Sequence, residues 1–181
     1  VMINRIRMVV NETDMKERTI MIFPQFDNIE IIDGIRRKYD PLSNLVRPHI
    51  TLVFPFKSEI TTEALSDQIK KAVKDISPFE MELGGFSTQQ DKFGNYLFLN
   101  VKRGVEYLKK INLNLYDGKP PFSYYPHMTV GKFENIEQLE NAYNDVKVCT
   151  ETFTTVVDTV SVEEIGEHGE SIIELEIGLE N

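Results

Sequence analysis

Two stretches of the chain share one frame. The first runs Arg47-Pro48-His49-Ile50-Thr51-Leu52-Val53-Phe54-Pro55-Phe56, and the second Tyr124-Tyr125-Pro126-His127-Met128-Thr129-Val130-Gly131-Lys132-Phe133. Each contains Pro-His-x-Thr followed by an aliphatic residue, in a chain of 181 residues with three histidines in all. Both read as β-strand, and residues two apart in a strand point to the same face. His49 and Thr51 therefore project together, as do His127 and Thr129, while Ile50, Leu52, Met128 and Val130 point into a core. Polar pairs set between apolar alternates, twice over, imply a cleft lined by two imidazoles and two hydroxyls.

The rest of the chain alternates strands and helices around these frames. Thr19 to Pro24 predicts a strand stopped by proline. Asn28 to Tyr39 has helical spacing and ends before Asp40-Pro41. Thr61 to Ile76 predicts an amphipathic helix, with Ala64, Leu65, Ile69, Ala72 and Val73 on one face behind a threonine cap. Strands are expected at Phe79–Leu83 and Tyr96–Val101, with a polar loop between them. The second half predicts a helix over Val105–Tyr116, the strand His127–Phe133 and a helix over Ile136–Val146. Two long strands, Phe153–Ile165 and Ser171–Leu179, follow, joined by a turn at Gly166–Gly169. Each half thus runs helix, His-strand, helix, strand, with Phe79 and Phe153 opening comparable strands. This order predicts an α+β fold: a duplicated, bilobal domain with antiparallel sheets, flanking helices and a central cleft on a pseudo-twofold axis. The whole chain, 1–181, reads as one domain, with approximate lobes at 19–103 and 104–179 and an N-terminal extension at 1–17.

Bulk composition narrows the class. The chain is 41% hydrophobic and 27% charged, as expected for a globular protein. No apolar run reaches the ~20 residues a membrane span requires, and the N-terminal stretch lacks the apolar region of a signal peptide. A single cysteine, Cys149, allows no internal disulfide, so a reducing cytoplasm is the expected location. The net charge of −9 opposes a long duplex nucleic acid, whose binding is driven by neutralising phosphates. A small phosphorylated ligand or an RNA end fits better. Nothing in the sequence demands more than a monomer.

Two imidazoles and two hydroxyls in one cleft suit phosphate chemistry. A neutral histidine can take a proton from the attacking oxygen, and a protonated one can give a proton to the leaving oxygen. Threonine hydroxyls can donate to the non-bridging oxygens as charge develops. The set needs no metal and no cofactor to be complete, and the three histidines lack zinc-ligand spacing. His168, in Gly-Glu-His-Gly with no threonine two ahead, reads as part of a hairpin turn.

The paired His-x-Thr-hydrophobic motifs resemble the two-histidine (2H) phosphoesterase superfamily, which includes the RNA 2′,3′-cyclic phosphodiesterases once named 2′-5′ RNA ligases. The segments Thr19–Pro24 and Arg36–Phe56 look like a branch of small bacterial phosphoesterase-like proteins. The resemblance spans roughly Arg18 to the C-terminus. It implies a bilobal α+β fold and metal-independent cleavage of a cyclic or 2′-linked phosphodiester in a nucleotide or RNA end. It also implies His49 and His127 as the catalytic pair and Thr51 and Thr129 as phosphate-binding hydroxyls. A nucleotide-binding module that keeps the cleft without turnover is the alternative.

Neighbouring residues carry further expectations. Arg47 and Tyr125 lie two before each histidine. They face the cleft if the register runs through the proline, and outward if the proline turns them. There Arg47 could pair with a phosphate and Tyr125 stack on a base. Phe54, Phe56 and Phe133 read as a base-stacking wall or as core. Arg36, Arg37 and Tyr39 end a helix just before the first motif, within reach of the cleft or serving the helix dipole. Lys132 falls one position off the cleft register and reads as solvated. Ser87–Lys92 and Pro120–Tyr125 are candidate lids.

Overall fold

The computed structural model describes residues 15–181, and most of the N-terminal stretch read above lies outside them. Chain order is β1 (Lys16–Ile22), α1 (Ile29–Tyr39), β2 (Ile50–Ser58), α2 (Thr62–Val73), β3 (Phe79–Asp91), β4 (Gly94–Arg103), α3 (Val105–Leu115), β5 (His127–Phe133), α4 (Ile136–Val146), β6 (Thr152–Val157), β7 (Thr159–Ile165) and β8 (Ser171–Gly178).

Local chemistry accounts for the helices. The Thr61 hydroxyl accepts from the Ala64 amide at 3.1 Å, opening α2, and Asn135 accepts from the Gln138 amide at 2.9 Å, opening α4. Behind these caps α2 buries Leu65, Ile69, Ala72 and Val73, and α4 buries Leu139, Ala142 and Val146, each set one helical face wide. Gly104 turns the chain from β4 into α3 at φ 95°, and a Cβ there would meet the Glu80 carbonyl at 2.9 Å. Only glycine suits both demands.

The strands form two antiparallel four-stranded sheets, ordered β2-β1-β7-β8 and β5-β4-β3-β6. One continuous core joins both sheets and all four helices, through residues such as Ile32, Leu65, Leu108 and Leu139. The duplication is visible in the contacts: α1 packs on β5, α3 packs on β2, and β2 meets β5 between the sheets. Such reciprocity is what a pseudo-twofold axis requires.

The repeat is phased differently from the one read in the sequence. Asp158 breaks the expected strand Phe153–Ile165 into two, β6 on the edge of one sheet and β7 inside the other. The counterpart of β3 is therefore β7, and the repeating unit is strand-helix-strand-helix with β1 matching β4. Each sheet takes strands from both sides of residue 104, so the sheets cut across the sequence halves. The first strand also begins at Lys16, inside the expected N-terminal extension. Nor is Ser87–Lys92 a lid. Ser87 to Asp91 belong to β3 and pair with Phe98 to Gly94 of β4, leaving only a tight turn.

A buried ion pair closes one end of the β2-β1-β7-β8 sheet. The Arg18 guanidinium donates to both Glu174 oxygens, at 2.7 and 2.8 Å, and to the Ile60 carbonyl at 3.0 Å, while Thr62 donates to Glu174 at 2.6 Å. The Arg18 hydrogen bond is the main reason the Glu174 carboxyl is pushed down to about 2. A carboxyl lowered on folding contributes stability that is present above its ordinary value of 4.5 and lost as pH falls toward 2. Glu174→Gln removes the carboxylate bonded to the buried Arg18 and leaves only the cross-strand Glu164 charge near it, so urea denaturation at pH 7 should show a loss of roughly 1–3 kcal/mol. Between pH 4.5 and 2 the variant should lose less stability than the wild type; an equal loss would assign the acid sensitivity to other groups.

Candidate active site

The two Pro-His-x-Thr frames sit on β2 and β5, the strands that face each other between the sheets. His49 immediately precedes β2, and His127 is the first residue of β5. Ile50, Leu52, Met128 and Val130 are fully buried, while His49, Thr51, His127 and Thr129 are half-buried. The alternation expected from the strand period holds in both frames.

The prolines explain the frame further. Pro48 and Pro126 are buried, and each restricts the preceding residue to an extended backbone. That aims the carbonyl of Arg47 at His49 and the carbonyl of Tyr125 at His127. Each Nδ1 lies 2.7 Å from its carbonyl oxygen. A carbonyl can only accept, so Nδ1 carries a proton in both rings and Nε2 is left as the reactive nitrogen. The two sites use one device.

The histidine surroundings differ. Phe98 stacks on His127 with ring centres 3.7 Å apart, whereas Phe23 meets His49 edge-on at 6.2 Å. Burial lowers both imidazoles from their ordinary value, and the carbonyl bonds oppose it. At His49 the Arg36 guanidinium lowers basicity further, while the Glu163 and Asp40 carboxylates raise it. At His127 the remaining influence is a charge on His49, which lowers it. The two rings are therefore within electrostatic reach, and the acidic neighbours belong to His49.

Both flanking residues stand beside their histidines. The exposed Arg47 lays its guanidinium 4.4 Å over the Phe23 ring. Tyr125 is exposed, its ring 6.1 Å from His127, and its hydroxyl donates to Asn100 Oδ1 at 3.3 Å. Phe56 is a correction. A second irregularity in β2 sets it opposite Arg18, on the face that carries Ile20 and Val53, where it packs against the core rather than over the cleft. Phe133 also packs on the core, against Tyr39 at 5.8 Å.

Arg36 is buried and works behind the loop that leads to His49. It donates to Asp40 at 2.9 Å and to the Val46 carbonyl at 2.8 Å. The Tyr39 hydroxyl donates to Asp145, which pushes its own ionisation up to about 12. His168 is exposed in the β7–β8 turn. Lys132 is exposed, as expected, but its register is a second correction. Thr129 pairs with Phe98, but Gly131 pairs with Leu97, so Val130 is a β-bulge and Lys132 returns to the face of Thr129.

Several site residues escaped the sequence reading. Phe98 and Asn100 lie opposite Thr129 and His127 on the neighbouring strand, and Asn100 also accepts from Ser87 at 2.8 Å. The alternation Tyr96-Leu97-Phe98-Leu99-Asn100 marks that polar-aromatic face, but pairing to β5 is a tertiary fact. Tyr124 donates to the Thr51 carbonyl at 2.7 Å, tying the segment before the second motif to β2.

The family model described as the 2′-5′ RNA ligase superfamily matches residues 23–169, which include both histidine frames. The chain belongs to that superfamily. Among relatives of this 2′-5′ RNA ligase superfamily protein, a candidate phosphoesterase of Geobacillus kaustophilus is 30% identical over 148 residues, covering 77% of this chain and 82% of its own length. One from Geobacillus thermodenitrificans is 27% identical over the same shares. Among solved structures, Escherichia coli LigT with 3′-AMP is similar at a TM-score of 0.62 and 13% identity, covering 92% of this chain and 99% of LigT. Usb1 of Kluyveromyces marxianus reaches 0.57 at 10% identity, covering 91% and 98%. At such identities these structures bear on the fold alone, and they share its two-sheet α+β architecture.

Proposed function

We propose that this phosphoesterase opens a 2′,3′-cyclic phosphate, or cleaves a 2′-5′ link, in a nucleotide or at an RNA end. The observation that carries the reading is the matched pair of imidazoles, each with Nδ1 tied to a carbonyl and a threonine two residues on. The nucleotides held by similar structures support the substrate class: LigT has been crystallised with ATP and with 3′-AMP, and Usb1 with uridine monophosphate.

In the proposed step, water attacks phosphorus as one ester bond to the ribose breaks. One Nε2 takes the water proton and the other gives one to the departing ribose oxygen, so protons balance over the turn. At His49 the Glu163 and Asp40 carboxylates favour the protonated form while the Arg36 guanidinium opposes it, so either ring can serve as the acid. Thr51 and Thr129 donate to the non-bridging oxygens. The residues supply both proton transfers and the charge stabilisation themselves.

Adenosine 2′,3′-cyclic phosphate incubated with the protein in excess EDTA tests the reading, with products resolved by chromatography. A single nucleoside monophosphate is expected, in unchanged yield with or without the chelator. Binding without turnover would instead make the cleft a nucleotide-holding module, and turnover abolished by EDTA would sink the metal-independent mechanism.

A further inference from the structure

The two threonines are followed by the same irregularity. In β2, Met21 pairs with Thr51 and Ile20 with Val53, leaving Leu52 as a bulge. In β5, Phe98 pairs with Thr129 and Leu97 with Gly131, leaving Val130 as a bulge. A bulge changes the parity of the residues that follow it. The fifth residue after each histidine, Phe54 in one sheet and Lys132 in the other, is thereby turned back to the face of its threonine. Without the bulges both would point the other way. The duplication has kept the backbone device and made its two outputs chemically different.

Both outputs are exposed and built upon. Phe54 meets Phe122 edge-on at 5.3 Å, and the two rings are 37% and 51% exposed. Phe122 is held there by its segment, which Tyr124 ties to the Thr51 carbonyl. An aromatic pair left open beside a phosphate site has the form of a base-stacking platform. On the opposite side the Lys132 ammonium lies 5.6 Å over Tyr96, which stacks at 6.0 Å on Phe98 and through it on His127. Lys132 makes no ion pair among the described residues; Asp91, in the neighbouring turn, has its carboxyl lowered mainly by hydrogen bonds from Gln89 and Phe93, with a smaller part from Lys132. Lys132 stands one strand row beyond Thr129, about 7 Å, which is close to the step between neighbouring phosphates along a nucleic-acid strand.

We infer that Lys132 receives a second phosphate, the one on the 5′ side of the ribose bearing the scissile group, and that Phe54 and Phe122 stack the base. This rests on the proposed reading of the histidine cleft and makes it more specific. The substrate is a nucleotide that carries a 5′-phosphate as well as the cyclic phosphate, as an RNA end does and a cyclic mononucleoside phosphate does not. In a chain of net charge −9, a single lysine placed one nucleotide from the cleft gives length discrimination without general affinity for polyanions.

The test compares adenosine 2′,3′-cyclic phosphate with and without a 5′-phosphate, in the wild type, Lys132→Gln and Phe54→Leu. The wild type should favour the 5′-phosphorylated compound about tenfold in kcat/KM, as expected for one charge-assisted contact. Lys132→Gln should lose that preference, its kcat/KM falling about tenfold more on the 5′-phosphorylated compound than on the unphosphorylated one. Phe54→Leu should raise KM for both compounds severalfold at constant kcat. No wild-type preference, or an equal loss on both compounds in Lys132→Gln, overturns the inference. If neither compound is hydrolysed the reaction assignment fails, and equilibrium binding of adenosine 3′,5′-bisphosphate against 3′-AMP then decides the subsite. Tighter binding of the bisphosphate that disappears in Lys132→Gln upholds it, and equal binding overturns it.

Discussion

His127→Ala lowers kcat on a 2′,3′-cyclic nucleotide by roughly 10²–10⁴-fold, the range removed with a positioned acid or base. His49→Ala does the same, and the double variant is little worse than either, because groups acting in one step are not additive. Steady-state kinetics measure all three, with circular dichroism to confirm that they fold. Either histidine is half-buried and borders the cleft, so its truncation opens no sealed core cavity. A single variant that retains most of the wild-type rate would remove that histidine from the mechanism. The pH profile adds a second reading. Burial holds both imidazoles below 6.5 in the free protein, so kcat/KM should peak on the acid side of that value. A bound phosphate adds negative charge next to both rings and raises their basicity. The optimum of kcat should therefore lie at higher pH than that of kcat/KM, and coincident optima would argue against a phosphate bound between the two rings.

Arg36→Met costs roughly 3–5 kcal/mol, the usual consequence of leaving a buried carboxylate without its partner. Arg36 and Asp40 side chains are only 2% and 6% exposed and 2.9 Å apart. The same guanidinium holds the Val46 carbonyl, and Asp40 accepts the Leu42 amide at 2.9 Å. Together they set the loop whose next carbonyl, that of Arg47, orients His49. The variant should thus lose activity as well as stability, with urea denaturation giving the first and kcat of the folded fraction the second. Arg36→Lys keeps the charge but not the forked geometry, so it should fold more stably than Arg36→Met while retaining part of the kcat defect. Full activity in a folded Arg36→Lys protein would show that the loop holds its place without the fork.

Much of this was legible in the chain. Period-two alternation at His49–Leu52 and His127–Val130 placed both polar pairs on one side, because strand side chains alternate whatever the partner strand does. The cap at Thr61, the apolar face behind it and the Gly166–Gly169 turn are local effects of the same kind. The Phe153–Ile165 strand was misread because β6 and β7 are both extended, and nothing within that run tells which sheet each half joins. Lys132 was misplaced because a β-bulge is set by pairing with another strand and inverts the side-chain parity of the residues after it. In β2 two irregularities cancel before Phe56, which stays on the core face that plain alternation from Ile50 and Leu52 gives it.

The sequence by itself determined the elements, the two identical frames and the four polar side chains that share their faces. These depend on backbone sterics and on spacing along the chain. Only the tertiary structure decided how the halves interlock, with α1 on β5, α3 on β2 and β7 in the sheet of β1. The partners of each histidine across the sheet, and the residues that follow each threonine into the cleft, were decided there too. Those are contacts between residues far apart in sequence, and their energies exist only once the strands have paired.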